Sequence, residues 1–253
     1  MMCRILWVKD ARKYDVCAMR TWLVILVIVA VTIVFSVAVM LHMALFRDRD
    51  VFFLYARKWS RILLWLSGVK VDLNGTEYLS PTERYIYITN HTSMFDIPVL
   101  LAFLPDNVRI MYKRELERIP VFGWGLKMSP FIAIDRSKSR EAADAIDETV
   151  RTLATGSSVV IFPEGTRSPD GLVRAFKRGA FSLAARSGRA IAPIAMIGAN
   201  TIMPPHTKRL RPGTVTLHIM PPQRLPEGAG RNEEIAMMQA MQEQIAARVN
   251  FGV

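Results

Sequence analysis

The 253 residues carry 33 lysines and arginines against 22 acidic residues, a formal charge of +11, and 51% of them are hydrophobic. That length holds one sizeable α/β domain with an appendage. Apolar content paired with positive charge suits a protein held at an anionic surface or handling anionic ligands, a basic soluble protein being the plainer alternative. The two cysteines, Cys3 and Cys17, precede the apolar segment and no Cys/His cluster has ligand spacing, which argues against a disulfide framework and a structural zinc site.

The first element is the stretch from residue 21 to residue 46, which contains no Lys, Arg, Asp or Glu. As a helix it is roughly 39 Å long at about 1.5 Å per residue, against a hydrocarbon core of about 30 Å, and it is expected to lie in a membrane. The apolar run exceeds the usual signal-peptide core of about 7–15 residues and no A-x-A-like site follows, so a retained anchor is expected. Arg4, Lys9, Arg12, Lys13 and Arg20 on one side balance Arg47, Arg49, Arg57, Lys58 and Arg61 on the other, so the positive-inside rule does not orient it. Residues 51–68 mix aromatic and aliphatic side chains with Arg57, Lys58 and Arg61, the composition of a helix lying in the interface with its cations toward headgroups. Two arrangements fit: a helical hairpin dipped into one leaflet, or a single span with the second helix packed on the domain. Residues 1–68 thus read as tail, membrane helix and interfacial amphipathic helix, and residues 69–253 as the folded domain.

From residue 69 onward, β-branched content and alternation predict strands at 69–75, 85–89, 108–113, 131–135, 158–162, 191–197 and 214–220. Helical stretches are predicted at 97–104, 139–155, 174–187 and 231–249. The 139–155 helix opens with Ser139 and Glu141 and stops at Gly156, and the last is amphipathic and expected to pack on the sheet. The alternation argues for an α/β fold with a mixed, partly parallel sheet flanked by helices. The turn at 163–171 then falls just past the C-terminal end of a buried strand, the edge where open α/β sheets bind ligands.

Two clusters carry chemistry. His91 and Asp96 stand at the seam between a strand and a helix, in "ITNHTSMFDIPVLL". Positions five apart on one helix point about 140° from each other, so the two side chains meet only if His91 precedes the first full turn. Ser93 and Asp96 also form a capping box, so Asp96 has a purely structural reading as a helix-start carboxylate. The readings are compatible, because a capped start holds its carboxylate back toward the end of the preceding strand, where it can orient an imidazole and leave the other ring nitrogen as a general base. The second cluster, "FPEGTRS" at 162–168, joins a Pro/Gly turn to the guanidinium of Arg167. Arginine recognises a phosphate by a bidentate fork and turn amides can add donors, whereas a Glu close to an Arg, taken alone, reads as a surface ion pair.

Together the clusters resemble the glycerolipid acyltransferase family, in particular its 1-acyl-sn-glycerol-3-phosphate acyltransferases. Four ordered blocks carry the resemblance over roughly residues 69–220: Asn90, His91, Ser93 and Asp96; "YKRELERIPVFGWGLKMSPFIAIDRS" with Lys113, Arg114, Glu115 and Arg136; "FPEGTRS"; and "IAPIAM" around Pro193. One departure is Ser129 with Pro130, where family members often have a glycine nearby.

The resemblance implies that residues 69–253 form an acyltransferase catalytic domain. It further implies that His91 takes the proton from the free hydroxyl of a lysophospholipid, that Asp96 holds and charge-stabilises it, and that the oxygen attacks the thioester of acyl-CoA or acyl-carrier protein directly. Glu164, Gly165, Thr166 and Arg167 would form the phosphate site, with Arg136 and Lys113 as further cations. Lys113, Arg114, Lys177 and Arg178 also read as solvated charges. Trp124, Met128 and Phe131 read either as acyl-tunnel lining or as ordinary core. No metal and no cofactor are expected. The expected partners are the thioester donor, the lysophospholipid acceptor and membrane lipids, with no nucleic acid; the expected location is the inner or cytoplasmic membrane with the catalytic domain facing the cytoplasm. A lyso-aminolipid acceptor is the alternative within the same family.

Overall fold

A computed structural model describes residues 11–134, 149–151, 153, 156–204, 207 and 209–251. Arg136 and nearly all of the predicted 139–155 helix lie outside these residues. Seven strands form one sheet in the order β1-β7-β6-β2-β5-β3-β4. They are β1 (Val69–Asn74), β2 (Ile86–Thr89), β3 (Val108–Lys113), β4 (Ile132–Ile134), β5 (Ser158–Ile161), β6 (Ile191–Ile197) and β7 (Gly213–Ile219). Strands β6, β2, β5, β3 and β4 run parallel, whereas β7 joins β6 antiparallel and carries β1 parallel to itself at the edge. The mixed, partly parallel α/β sheet is therefore as expected.

The central strands explain the continuous apolar runs in the sequence. Ile86, Tyr87 and Ile88 of β2 are all fully buried, as strands covered on both faces must be. Pro193 sits inside β6 without breaking it: the antiparallel ladder to β7 begins only at Ile194, and the Pro193 carbonyl accepts the Met220 N–H at 2.9 Å.

Besides the helical residues 149–151 and 153, seven helices accompany this sheet among the described residues. Helix α1 (Ala11–Phe46) and α2 (Val51–Ser67) come first, followed by α3 (Asp96–Phe103) and α4 (Phe122–Met128). The remaining three are α5 (Gly179–Ser187), the single turn α6 (Ala199–Ile202) and α7 (Arg231–Phe251). Helix α7 packs against β6 and α5, burying Glu234, Met241 and Ile245 at helical spacing.

The N-terminal helices combine features of both arrangements considered above. Trp59 Nε1 donates to Thr32 Oγ1 at 3.0 Å and Tyr55 lies edge-on to His42, so the pairing runs antiparallel and α1 and α2 form a hairpin. Yet α2 also packs on the domain, against α3 and β1 as well as α1, and buries Val51, Phe52, Phe53, Ala56, Leu63 and Leu64. Its cations divide: Lys58 and Arg61 are exposed, but Arg57 turns inward and donates to the Asp106 carbonyl at 3.2 Å. Within α1, Met19–Phe46 is long and apolar enough to cross a membrane, and Trp22, Leu23, Leu26, Val34, Leu41 and Leu45 stay exposed.

Candidate active site

The site assembles where β2 and β5 end at the carboxyl edge of the sheet, the edge at which open α/β folds bind ligands. Beyond Thr89 the chain leaves the ladder, and the side chain of the fully buried Asn90 takes over the pairing. Its Nδ2 donates to the Met196 carbonyl at 2.9 Å and its Oδ1 accepts the Met196 N–H at 2.8 Å. The carboxamide thus closes the β2–β6 gap and fixes where His91 emerges.

His91 is bonded on both sides of its backbone to the second sequence cluster. Its N–H donates to Glu164 Oε1 at 2.8 Å, and its carbonyl accepts the Ser168 N–H at 2.7 Å. The other Glu164 oxygen accepts the Arg174 N–H at 3.1 Å. Burial raises the pKa of the Glu164 carboxyl, and the amides of His91 and Arg174 pull against that rise. Glu164 is 4% exposed, so its carboxylate braces the turn from inside and does not face solvent.

The imidazole itself is held by Asp96. His91 Nδ1 lies 2.7 Å from Asp96 Oδ2, with the histidine side chain 15% exposed and the aspartate 0%. The same oxygen accepts the N–H of Thr92 at 2.7 Å and of Ser93 at 2.9 Å. Asp96 therefore performs both roles read from the sequence, backbone cap and histidine partner. Its Oδ1 is buried without a hydrogen-bond partner among the described residues. One face of the imidazole stacks on Phe162, with ring centroids 4.0 Å apart and planes at 24°. With Nδ1 committed to the aspartate, Nε2 is the nitrogen available to a substrate, a constellation suited to removing a proton from a hydroxyl.

The turn after β5 contributes the cationic side of the site. Gly165 has a left-handed φ of +75°, and Thr166 and Arg167 are exposed beside it. The amides of Thr166 and Arg167 have no acceptor among the described residues, and neither does the Arg167 guanidinium. Lys113 ends β3 at the same edge of the sheet and pairs with Glu115 at 3.1 Å.

Two expectations change. The helix predicted from residue 174 begins only at Gly179, because the preceding amides are drawn elsewhere: Arg174 to Glu164, Phe176 to Gln242 Oε1 at 2.9 Å and Lys177 to the Pro163 carbonyl at 2.8 Å. Of the three candidate tunnel residues, only Phe131 lines the open apolar pocket of ≈130 Å³ bordered by α1, α2, α3, β3 and α4. Trp124 is 58% exposed and Met128 36%. Ile97 of α3, next to Asp96, also lines that pocket. The reading of the sequence missed Phe162 as the stacking partner of His91, although it is the first residue of the "FPEGTRS" cluster.

A histidine paired with an aspartate at a strand terminus is thus bonded, through Glu164 and Ser168, to the turn that bears Arg167. The chain belongs to the Acyltransferase family, whose family model matches residues 70–197. It is similar to a chloroplastic 1-acyl-sn-glycerol-3-phosphate acyltransferase of Arabidopsis thaliana, 35% identical over 150 residues that make up 59% of this chain and 42% of the relative. The alpha 1-acyl-sn-glycerol-3-phosphate acyltransferase of Mus musculus is 33% identical over 160 residues, 62% of this chain and 56% of the relative. The chain thus spans about half the length of the curated relatives it matches. The crystal structure of the 1-acyl-sn-glycerophosphate acyltransferase PlsC from Thermotoga maritima superimposes with a TM-score of 0.77 at 25% identity, covering 92% of this chain and 96% of that one.

Proposed function

We propose that this protein is a membrane-bound O-acyltransferase that moves a fatty acyl group from acyl-CoA or acyl-carrier protein to the free hydroxyl of 1-acylglycerol 3-phosphate, giving phosphatidic acid. The observation that carries the reading is the His91–Asp96 pair bonded at 2.7 Å and joined through Glu164 and Ser168 to the turn bearing Arg167. His91 Nε2 accepts the acceptor's hydroxyl proton as the oxygen bonds to the thioester carbonyl carbon. The tetrahedral adduct collapses, the C–S bond breaks, and the thiolate leaves with the proton returned from His91. Buried Asp96 stabilises the imidazolium between those two transfers.

Arg167 and the free turn amides hold the acceptor phosphate, with Gly165 and Thr166 shaping the turn. Glu164 acts on the substrate only through the residues it positions. Arg136 and Lys113 supply further positive charge, and the apolar pocket beginning at Ile97 takes an acyl chain. The exposed apolar face of α1 anchors the protein in a membrane, with the domain on the side where acyl-CoA and acyl-carrier protein are found, the cytoplasm.

The test is a panel of lysolipid acceptors with a radiolabelled thioester donor. The expected result is the highest kcat/KM for lysophosphatidic acid. A preference for an acceptor without a phosphate, such as a lyso-aminolipid, sinks the assignment.

A further inference from the structure

The cations around the phosphate-facing turn fall into two groups. Lys113 pairs with Glu115 at 3.1 Å, Arg174 with Asp170 at 2.7 Å and Arg178 with Glu234 at 3.1 Å. Lys177 stands apart from these three. Among the described residues its ammonium has no carboxylate partner, as is the case for the Arg167 guanidinium.

Lys177 also lies directly against the turn. Its N–H donates to the Pro163 carbonyl at 2.8 Å, which lays the segment Arg174–Lys177 along the turn. Its ammonium then folds over Gly165: a Cβ built on that glycine would stand 2.9 Å from Lys177 Nζ and 3.3 Å from Cε. Glycine at 165 therefore does two things, adopting φ +75° and leaving room for the ammonium above the turn. The result is a fork and a point charge on one short turn, with the free amides of Thr166 and Arg167 beside them. A guanidinium and an ammonium recognise a phosphate in complementary ways, the first fixing its orientation and the second adding compact charge.

We propose that Lys177 is a specificity-determining residue of this site, the second cation that clasps the phosphate monoester of the acceptor against the Gly165 turn. The proposal rests on the acceptor reading given above and goes beyond it in assigning a residue. Acyl-CoA also carries phosphate groups, so the experiment separates the two sources of the same chemistry.

Full-length wild type, Lys177→Met and Lys177→Arg are compared in phospholipid vesicles with lysophosphatidic acid, with a phosphate-free monoacylglycerol, and with varied donor. The methionine variant is expected to lower the ratio of kcat/KM for lysophosphatidic acid over monoacylglycerol by about tenfold, the low end for a hydrogen bond to a charged group because Lys177 is exposed. Most of the loss should appear in KM for lysophosphatidic acid, and arginine should restore part of it. Glycerol 3-phosphate should inhibit the methionine variant more weakly than wild type, a binding readout independent of acceptor turnover.

An unchanged acceptor ratio overturns the proposal, as does a loss equal for both acceptors or one confined to the donor KM. If wild type itself fails to prefer lysophosphatidic acid, the acceptor reading falls and takes this proposal with it. That outcome is distinct from a phosphate-preferring wild type whose methionine variant behaves normally.

Discussion

Replacing Asp96 by asparagine separates the two roles this residue combines. One oxygen, Oδ2, collects all three donors: His91 Nδ1 at 2.7 Å, Thr92 N–H at 2.7 Å and Ser93 N–H at 2.9 Å. An asparagine can keep its oxygen there and place its amide nitrogen where Oδ1 has no partner among the described residues, so the backbone cap and the imidazole orientation survive. What disappears is the negative charge. With charge centres about 4 Å apart and an effective dielectric constant of about 20, the lost attraction to the imidazolium is about 4 kcal/mol. At about 1.4 kcal/mol per decade of rate, that predicts roughly a thousandfold fall in kcat. Stability should change far less: charge-assisted bonds weaken to neutral ones, but a buried charge no longer has to be desolvated. The assay is turnover of a radiolabelled thioester with lysophosphatidic acid, read beside thermal unfolding of the same preparation. If Asp96→Asn keeps activity within about tenfold of wild type, below the range of about 10²–10⁴ for general-base catalysis, Asp96 is a helix cap and the proposed chemistry is wrong.

Arg167→Ala should lower kcat/KM for lysophosphatidic acid by about 10- to 150-fold, the range for hydrogen bonds to charged groups, and lysine should rescue it only partly because an ammonium lacks the fork; a loss below threefold, or full rescue by lysine, counts against the assignment. Glu164→Gln leaves one of the two amides, His91 or Arg174, facing an NH₂ group, and the expected cost is about 1–3 kcal/mol. Because burial raises the Glu164 pKa above its ordinary 4.5, the folded protein holds that proton more tightly than the unfolded chain; wild-type stability should fall as pH rises from there through the raised value, and the glutamine variant should lack this fall. Melting temperatures across that range that decline equally in both proteins would contradict it. For topology, a cysteine at exposed Glu227, introduced after replacing Cys3 and Cys17, should resist a membrane-impermeant maleimide in intact cells and react after lysis; labelling of intact cells reverses the orientation.

Much of the fold was legible locally. The expected strands at 69–75, 108–113 and 191–197 match β1, β3 and β6 within a residue, because β-branched runs and period-two alternation are properties of neighbouring residues. The apolar segment of α1 was equally plain, since a long uncharged stretch needs no tertiary context to be recognised. His91, Asp96 and the "FPEGTRS" turn could be singled out because each motif is short and keeps its residue types together.

Tertiary structure decided what depends on distant parts of the chain. No local pattern reveals that β1 lies beside β7 or that β6 switches from parallel to antiparallel pairing, since strand order is set by which long-range contacts bury the most surface. The same holds for residues 174–178: their composition favours a helix, but Glu164, Pro163 and Gln242 take the amides that a helical turn would have used. Glu164 itself read as a phosphate contact until the sheet brought it behind His91, where burial and two amides turn a surface-type carboxylate into a brace. Hydropathy and residue type travel with the sequence, whereas the partner of a buried polar group is chosen only when the chain closes around it.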